Sequence, residues 1–123
     1  MRIVTPGIPD KKIIYRVTRS YYNGLARNGV RIYEYTPGFM HAKQVVVDGE
    51  IATVGTINFD FRSLYHHFEN GVLLYGYNCI MDIERDFAAT MEASHEVTKE
   101  YSSSNKAFLE VGQALLRLVA PLM

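Results

Sequence analysis

Residues 41–58 read HAKQVVVDGEIATVGTIN, and this stretch decides the fold of the region around it. Alternate residues of a strand share one face, so an extended segment here places His41 and Lys43 together. The pair Asp48-Gly49 between two apolar runs is typical of a hairpin turn. A second strand then returns beside the first and brings the loop of residues 55–58 back to His41 and Lys43.

The predicted end of this hairpin gathers groups that bind phosphate. The imidazole of His41 is surrounded by an ammonium, a hydroxyl and an amide, each of which donates hydrogen bonds to phosphate oxygens. These groups belong to Lys43, Thr56 and Asn58. Gly55 is expected to let the loop approach a substrate closely. An ordinary hairpin with incidental polar residues is the alternative, but the hairpin, the polar loop and a later acid agree in register and favour a phosphate site.

The spacing resembles a known motif. His41-x-Lys43-x4-Asp48-x6-Gly55-Thr56-x-Asn58 is similar to the HKD motif of the phospholipase D superfamily, with Thr56 where many members carry Ser. The flanking sequences resemble bacterial cardiolipin synthases; they are Gly38-Phe39-Met40, Asn58–Ser63, His67-Phe68-Glu69 and Arg117–Leu122. The resemblance covers nearly the whole chain and corresponds to the second, C-terminal HKD half of those enzymes. It implies a phospholipase D-like layered α/β fold, with a central mixed sheet flanked by helices, as a single domain over residues 1–123.

Composition bounds the class of protein. A chain of 123 residues with 48% apolar residues fits one domain with its own core. Thirteen basic and thirteen acidic residues give no net charge, so the basic stripe typical of nucleases is not visible and no nucleic-acid partner is expected. No apolar run reaches the ~20 residues of a membrane-spanning helix. The single Cys79 excludes an internal disulfide and suits a reducing compartment.

The order of predicted elements also favours an α/β layered domain, because helices alternate with strands. Besides the hairpin, the predicted strands cover residues 2–5, 30–35 and 69–75. The predicted helices run from a cap at Asp10 to Asn28, from Cys79 to Tyr101, and through a last segment with Phe108, Val111, Leu115 and Leu118 at helical spacing.

A nucleophilic imidazole needs a carboxylate to hold its other ring nitrogen as a donor. Asp48 is seven residues from His41, on the opposite face and about 20 Å away in an extended chain. Glu69 opens the next strand and returns to the same end, so we assign the orienting role to Glu69, as the resemblance also implies. Asp48 is then a structural acid near the turn, with a backbone or basic partner.

The remaining polar residues receive binding or structural roles. Lys43 and Asn58 are expected to bind phosphate oxygens, with Thr56 adding a hydroxyl. Asp60 and Arg62 are interpreted as an ion pair that fixes the loop, in preference to substrate contact. His66 and His67 are too few for a metal site, and Lys43 already supplies positive charge, so no metal or other cofactor is expected.

The resemblance implies a two-step transfer on membrane lipids. A histidine attacks the phosphate of phosphatidylglycerol and releases glycerol, and a second phosphatidylglycerol then attacks the phosphatidyl-histidine to form cardiolipin. One HKD half alone does not show whether His41 is the nucleophile or the opposing general acid and base. The segment Phe39-Met40 beside it fits acyl-chain contact and simple packing equally well. The implied location is peripheral, on the cytoplasmic side of a bacterial membrane.

One HKD set supplies only one side of such a site. The expected partner is a second HKD half in the same, longer chain or an identical subunit around a two-fold axis. We therefore expect the isolated chain to self-associate and to show weak activity or none. Two other functions stay open: a homodimeric phospholipase D-type phosphodiesterase or nuclease that transfers to water, and a truncated noncatalytic module.

Overall fold

The computed structural model describes residues 1–9, 11–102, 114 and 118. The elements, in chain order, are β1 Arg2–Pro6, α1 Lys12–Ser20, α2 Tyr22–Arg27, β2 Arg31–Tyr35, β3 Gln44–Val47, β4 Ile51–Gly55, β5 Gly71–Tyr75, α3 Cys79–Glu92, β6 Ser94–Glu96 and α4 Thr98–Ser102. A π-helical turn, Arg62–His66, lies between β4 and β5. The predicted α/β class is confirmed, although the described strands form two three-stranded sheets where one central sheet was expected.

The first sheet carries the core. Strand β2 lies in the middle, parallel to β1 and antiparallel to β6. Its Ile32 is fully buried and packs with Tyr22 of α2 and with Val97, which leads into α4. Apolar side chains from a strand and two helices thus meet on one face of this sheet, where their removal from water stabilises the fold.

The second sheet positions the predicted site. It is antiparallel throughout, in the order β3, β4, β5. Asp48 and Gly49 have φ of 52° and 68°, and the Glu50 amide donates to the Val47 carbonyl at 3.1 Å. Positive φ at both central residues is the signature of a type I′ hairpin turn. The predicted turn is therefore confirmed, with Glu50 as one extra residue before β4 because Val47 pairs with Ile51.

Both long helices that we predicted are interrupted. The first is divided at Tyr21 into α1 and α2, and the next residue, Tyr22, is buried with its hydroxyl 2.6 Å from the Thr5 hydroxyl. The second ends at Glu92, because the residues that follow form β6 and pair with β2. In both places a contact distant in sequence overrides the local helical pattern.

The predicted cap Asp10 and the predicted helix positions Phe108, Val111 and Leu115 lie outside the described residues. Leu118 is described and is exposed. Within the described part of the chain, no helix combines the length and the apolar character needed to cross a membrane.

Candidate functional site

His41 and Lys43 lie just before the hairpin. Strand β3 begins at Gln44, so both residues belong to an irregular segment and not to the predicted strand. Lys43 still continues the ladder, since the Gly55 amide donates to its carbonyl at 3.1 Å. Its Nζ donates to the His41 carbonyl at 2.8 Å. The structure thus brings the ammonium to the backbone of His41, whereas the spacing predicted it beside the imidazole.

The His41 ring is open to solvent on one side and covered by an aromatic ring on the other. The side chain is exposed, and its ring stacks on Phe39 with centroids 5.8 Å apart and planes at 15°. Among the described residues neither ring nitrogen forms a hydrogen bond. The nitrogens are therefore accessible to an incoming phosphate.

Thr56 joins the end of β4 to the segment before β5. Its amide donates to the Asn70 carbonyl at 2.8 Å, and its hydroxyl accepts from the Asn70 amide at 3.0 Å. The same hydroxyl donates to a carboxylate oxygen of Glu69. A hydroxyl has one proton to donate, and Thr56 donates it to Glu69. The sequence had instead predicted that this hydroxyl donates to the substrate.

Glu69 is held as an ionised carboxylate. The hydrogen bond from Thr56 lowers the pKa of Glu69, a hydrogen bond from Ser63 lowers it further, and the charges of His67 and Lys43 add smaller effects. Each of these groups favours the charged form of the acid. Glu69 therefore carries a negative charge close to the ammonium of Lys43 at neutral pH.

The predicted hydrogen bond from His41 to Glu69 is absent from the structure. Strand β5 begins at Gly71 and not at Glu69, so Glu69 lies in the connecting segment and its carboxylate turns toward Thr56. The strand argument placed Glu69 at the correct end of the hairpin, with Thr56 and Lys43. It did not account for a hydroxyl that competes for the same carboxylate.

Asn58 and the turn after it are organised by Ser63, which sequence reasoning missed. The buried Ser63 donates its amide to the Asp60 carboxylate at 2.7 Å and lies 3.4 Å from the Asn58 amide nitrogen. The spacing Asp60-x-x-Ser63 is that of a helix-capping acid and the amide it accepts from, which is the signal that could have identified Ser63. The predicted Asp60–Arg62 ion pair is wrong, because Arg62 Nε instead donates to His67 Nε2 at 2.7 Å.

Of two further predictions at the hairpin, one is corrected. The Asp48 side chain forms no hydrogen bond or ion pair with any described residue, so its place in the turn rests on its positive φ and not on a partner. A Cβ on Gly55 would lie 2.3 Å from the Asn70 carbonyl oxygen. The missing side chain of Gly55 thus allows close approach of the chain entering β5, while its predicted role toward a substrate stays a prediction.

A cavity of about 150 Å³ lies beside the histidine. Its lining is mainly apolar and includes Ile8, Ile14 and Tyr15 from the α1 side and Phe39, Met40 and His41 from the site. Residues 8–15 and 39–41 are distant in sequence, so no local pattern indicates that they meet. In the described ranges, no group of three or more His, Cys, Asp or Glu residues could hold a metal ion.

The arrangement has the parts of a phosphate-handling site but does not close around one. An exposed imidazole, an adjacent ammonium and an ionised acid lie at one end of a hairpin. The ammonium and the Asn58 amide can stabilise negative charge on phosphate oxygens, while the imidazole can attack phosphorus or transfer a proton.

Comparison with known proteins gives a consistent result. Residues 1–91 match the family model described as cardiolipin synthase, PLD-like domain. An uncharacterized protein of Streptococcus mutans is 44% identical over all 123 residues, which span 27% of its length. Cardiolipin synthases of Halalkalibacterium halodurans and Geobacillus kaustophilus are each 37% identical over the whole chain, which spans 24% of their length. No solved structure shows significant similarity to the chain.

Proposed function

Because the chain belongs to the family of phospholipase D-like cardiolipin synthase domains, we propose that it supplies one half of a phosphatidyltransferase site. The reaction transfers a phosphatidyl group between phosphatidylglycerol molecules through a phosphohistidine intermediate. The observation that carries this proposal is the exposed His41 side chain, with the Lys43 ammonium bound to the His41 backbone carbonyl and close to the ionised Glu69. These groups match the needs of phosphodiester transfer.

The proposed chemistry uses two imidazoles on opposite sides of phosphorus. One attacks, the bond from phosphorus to the departing glycerol oxygen breaks, and the other imidazole protonates that oxygen. The hydroxyl of a second phosphatidylglycerol then returns its proton to the second imidazole, attacks phosphorus and breaks the phosphorus–nitrogen bond. His41 takes one of these two roles, while Lys43 and Asn58 bind the phosphate oxygens.

Glu69 is proposed to orient the imidazole in the assembled site. Thr56 donates to one of its two carboxylate oxygens, Oε2, so Oε1 is the atom for an imidazole N–H. The His41 side chain is exposed, and its ring can rotate toward that oxygen when a partner closes the site. The lowered pKa of Glu69 supports this role, since only an ionised carboxylate stabilises the imidazolium that forms during attack.

A covering partner is supported by the second sheet. The chain spans about a quarter of the length of the curated relatives it matches. The sheet face that continues from Lys43 carries side chains with large exposed fractions: Val47 46%, Ile51 37%, Leu73 69% and Tyr75 69%. Apolar surfaces of this kind mark interaction sites. We assign the partner as a second HKD half of the same, longer enzyme at the cytoplasmic membrane surface; a homodimer is the alternative.

The test is His41→Ala in the longer enzyme that contains this segment, expressed in bacteria without other cardiolipin synthesis. Cardiolipin in lipid extracts should fall by at least about 10³-fold, because members of a catalytic unit act together. His95→Ala is the matched control and should leave the product unchanged, since that exposed histidine of β6, in the first sheet, pairs with Glu100 of α4. Undiminished cardiolipin from His41→Ala would refute the assignment, and phosphatidic acid from the unaltered enzyme in place of cardiolipin would indicate transfer to water.

A further inference from the structure

We propose that the cavity beside His41 holds the first methylenes of an acyl chain of the phospholipid whose phosphate reacts at that histidine. This inference rests on the proposed function and names the part of the substrate that this chain binds outside the phosphate. It assigns a binding role to residues of the β1–α1 connection and of α1, which lie outside the HKD motif.

The position of the cavity is the first argument. His41 is part of its lining together with Met40 and Phe39, and the ring of Phe39 stacks on the imidazole. A phospholipid places its acyl chains a few bonds from its phosphate. A lipid phosphate at the His41 nitrogens therefore brings an acyl chain to the mouth of this cavity.

The exposure of the lining is the second argument. Ile8, Ile14 and Phe39 keep 44%, 46% and 61% of their surface exposed, although all three border the same cavity of about 150 Å³. Side chains that only filled the core would be buried like Ile32, at 0%. An occupant that covered these apolar surfaces would gain about 0.8 kcal/mol for each methylene removed from water.

Charge complementarity at the rim is the third argument. A second depression adjoins the cavity and shares Lys11 and Ile14 with it. Its other lining residues are Lys12, Ile13 and Arg62. Three cations thus surround two isoleucines next to the apolar cavity. This combination fits a molecule with an anionic headgroup and an apolar tail, and it selects an anionic phospholipid over an apolar peptide or a second copy of the chain.

The experiment measures binding of three probes to the purified chain by NMR, each below its micelle-forming concentration. The probes are dihexanoyl-phosphatidylglycerol, dihexanoyl-phosphatidylcholine and glycerophosphoglycerol, which has the headgroup without chains. We expect both dihexanoyl lipids to shift the methyl signals of Ile8, Ile14 and Met40, and glycerophosphoglycerol to leave them unchanged. The phosphatidylglycerol probe should also shift the ring signals of His41.

Ile14→Trp fills the cavity and should weaken binding of both dihexanoyl lipids about tenfold, as expected for loss of about two buried methylenes. Thr18→Phe, one turn after Ile14 in α1 and also in the lining of the cavity, provides a second filling variant in case the first does not fold. Met81→Trp is the matched control, because Met81 is an exposed apolar residue of α3 and borders neither the cavity nor the second depression. It should retain wild-type affinity.

The outcomes separate the two proposals. Shifts at His41 by phosphatidylglycerol with no effect of either filling variant would overturn the acyl-chain site and leave the proposed function intact. Cavity binding of both dihexanoyl lipids that is lost in the filling variants but leaves the His41 signals unshifted would overturn the link between the cavity and a phosphate at His41, and it would also count against the proposed reaction. The acyl-chain site would also be overturned if the chain bound no lipid and light scattering showed dimers that Ile14→Trp dissociates. That result would show that a second copy fills the cavity.

Discussion

A methyl group added at Gly55 tests how closely the site depends on the approach of β4 to the chain entering β5. In Gly55→Ala the new Cβ would lie 2.3 Å from the Asn70 carbonyl oxygen and 2.6 Å from Gly71 Cα. Both contacts are with backbone atoms, which cannot rotate away as the end of a side chain can. Gly55 is not among the described glycines with positive φ, so the predicted effect is steric and not torsional.

The expected loss of stability has two parts. Overpacking of a well-packed position costs about 1–3 kcal/mol. The neighbouring hydrogen bond, from the Thr56 amide to the Asn70 carbonyl at 2.8 Å, is displaced by the same movement and contributes about 1 kcal/mol. Gly55→Ala should therefore destabilise the chain by about 2–4 kcal/mol.

Gly24→Ala is the matched control. Nothing lies within 4 Å of a Cβ at Gly24, which is in α2, and alanine is favoured over glycine in a helix by up to about 1 kcal/mol. Urea unfolding followed by circular dichroism should therefore place the midpoint of Gly24→Ala at or above that of the wild type. The midpoint of Gly55→Ala should lie more than about 1 M below it. A Gly55→Ala midpoint equal to the wild type would refute the close-approach argument.

Two further predictions concern the acid and the partner. Thr56→Val should raise the pKa of Glu69 toward its ordinary value of 4.5, while Thr56→Ser should not, as carboxyl NMR titration would show. Because the pKa of Glu69 is lowered in the folded state, the ionised Glu69 stabilises the fold above pH 4.5, and this stabilisation is lost as the pH falls through the folded-state pKa. Thr56→Val should lose less stability over this range than the wild type. Equal titration of Glu69 in all three proteins would contradict the hydrogen bond from Thr56. The isolated chain should self-associate at high concentration, because its Lys43-bearing sheet face exposes apolar side chains; a strictly monomeric species in light scattering would contradict this.

The sequence predicted the hairpin well because its determinants are local. Asp48 and Gly49 tolerate positive φ, and the apolar runs on either side of them specify the two strands. The end of the hairpin that carries Lys43 and Thr56 follows from that turn alone. The family resemblance then depended on spacing within one continuous segment, which needs no knowledge of distant contacts.

The errors all involve contacts distant in sequence or competition between side chains. Residues 94–96 continue a helical pattern, but they pair with β2, more than fifty residues earlier. Glu69 was assigned to His41 because both lie at one end of the hairpin, yet the hydroxyl of Thr56 is a nearer donor. Arg62 was paired with Asp60 by spacing, whereas the Asp60 carboxylate accepts from the Ser63 amide and Arg62 donates to His67. Periodicity describes which face a residue occupies, but it does not rank the partners available on that face.

The hydrogen bonds in the site indicate which groups can exchange their partners for a phosphate. The Thr56 hydroxyl both accepts from the Asn70 amide and donates to Glu69, so releasing it would separate β4 from the entry to β5. Lys43 and Asn58 are held less firmly. Lys43 binds an exposed backbone carbonyl at 2.8 Å and has two further protons, and the Asn58 amide nitrogen lies 3.4 Å from Ser63 Oγ, which is long for a hydrogen bond. A phosphate can therefore bind to Lys43 and Asn58 without disturbing the hairpin, while Thr56 keeps Glu69 in place. This supports assigning substrate contact to Lys43 and Asn58 and a positioning role to Thr56.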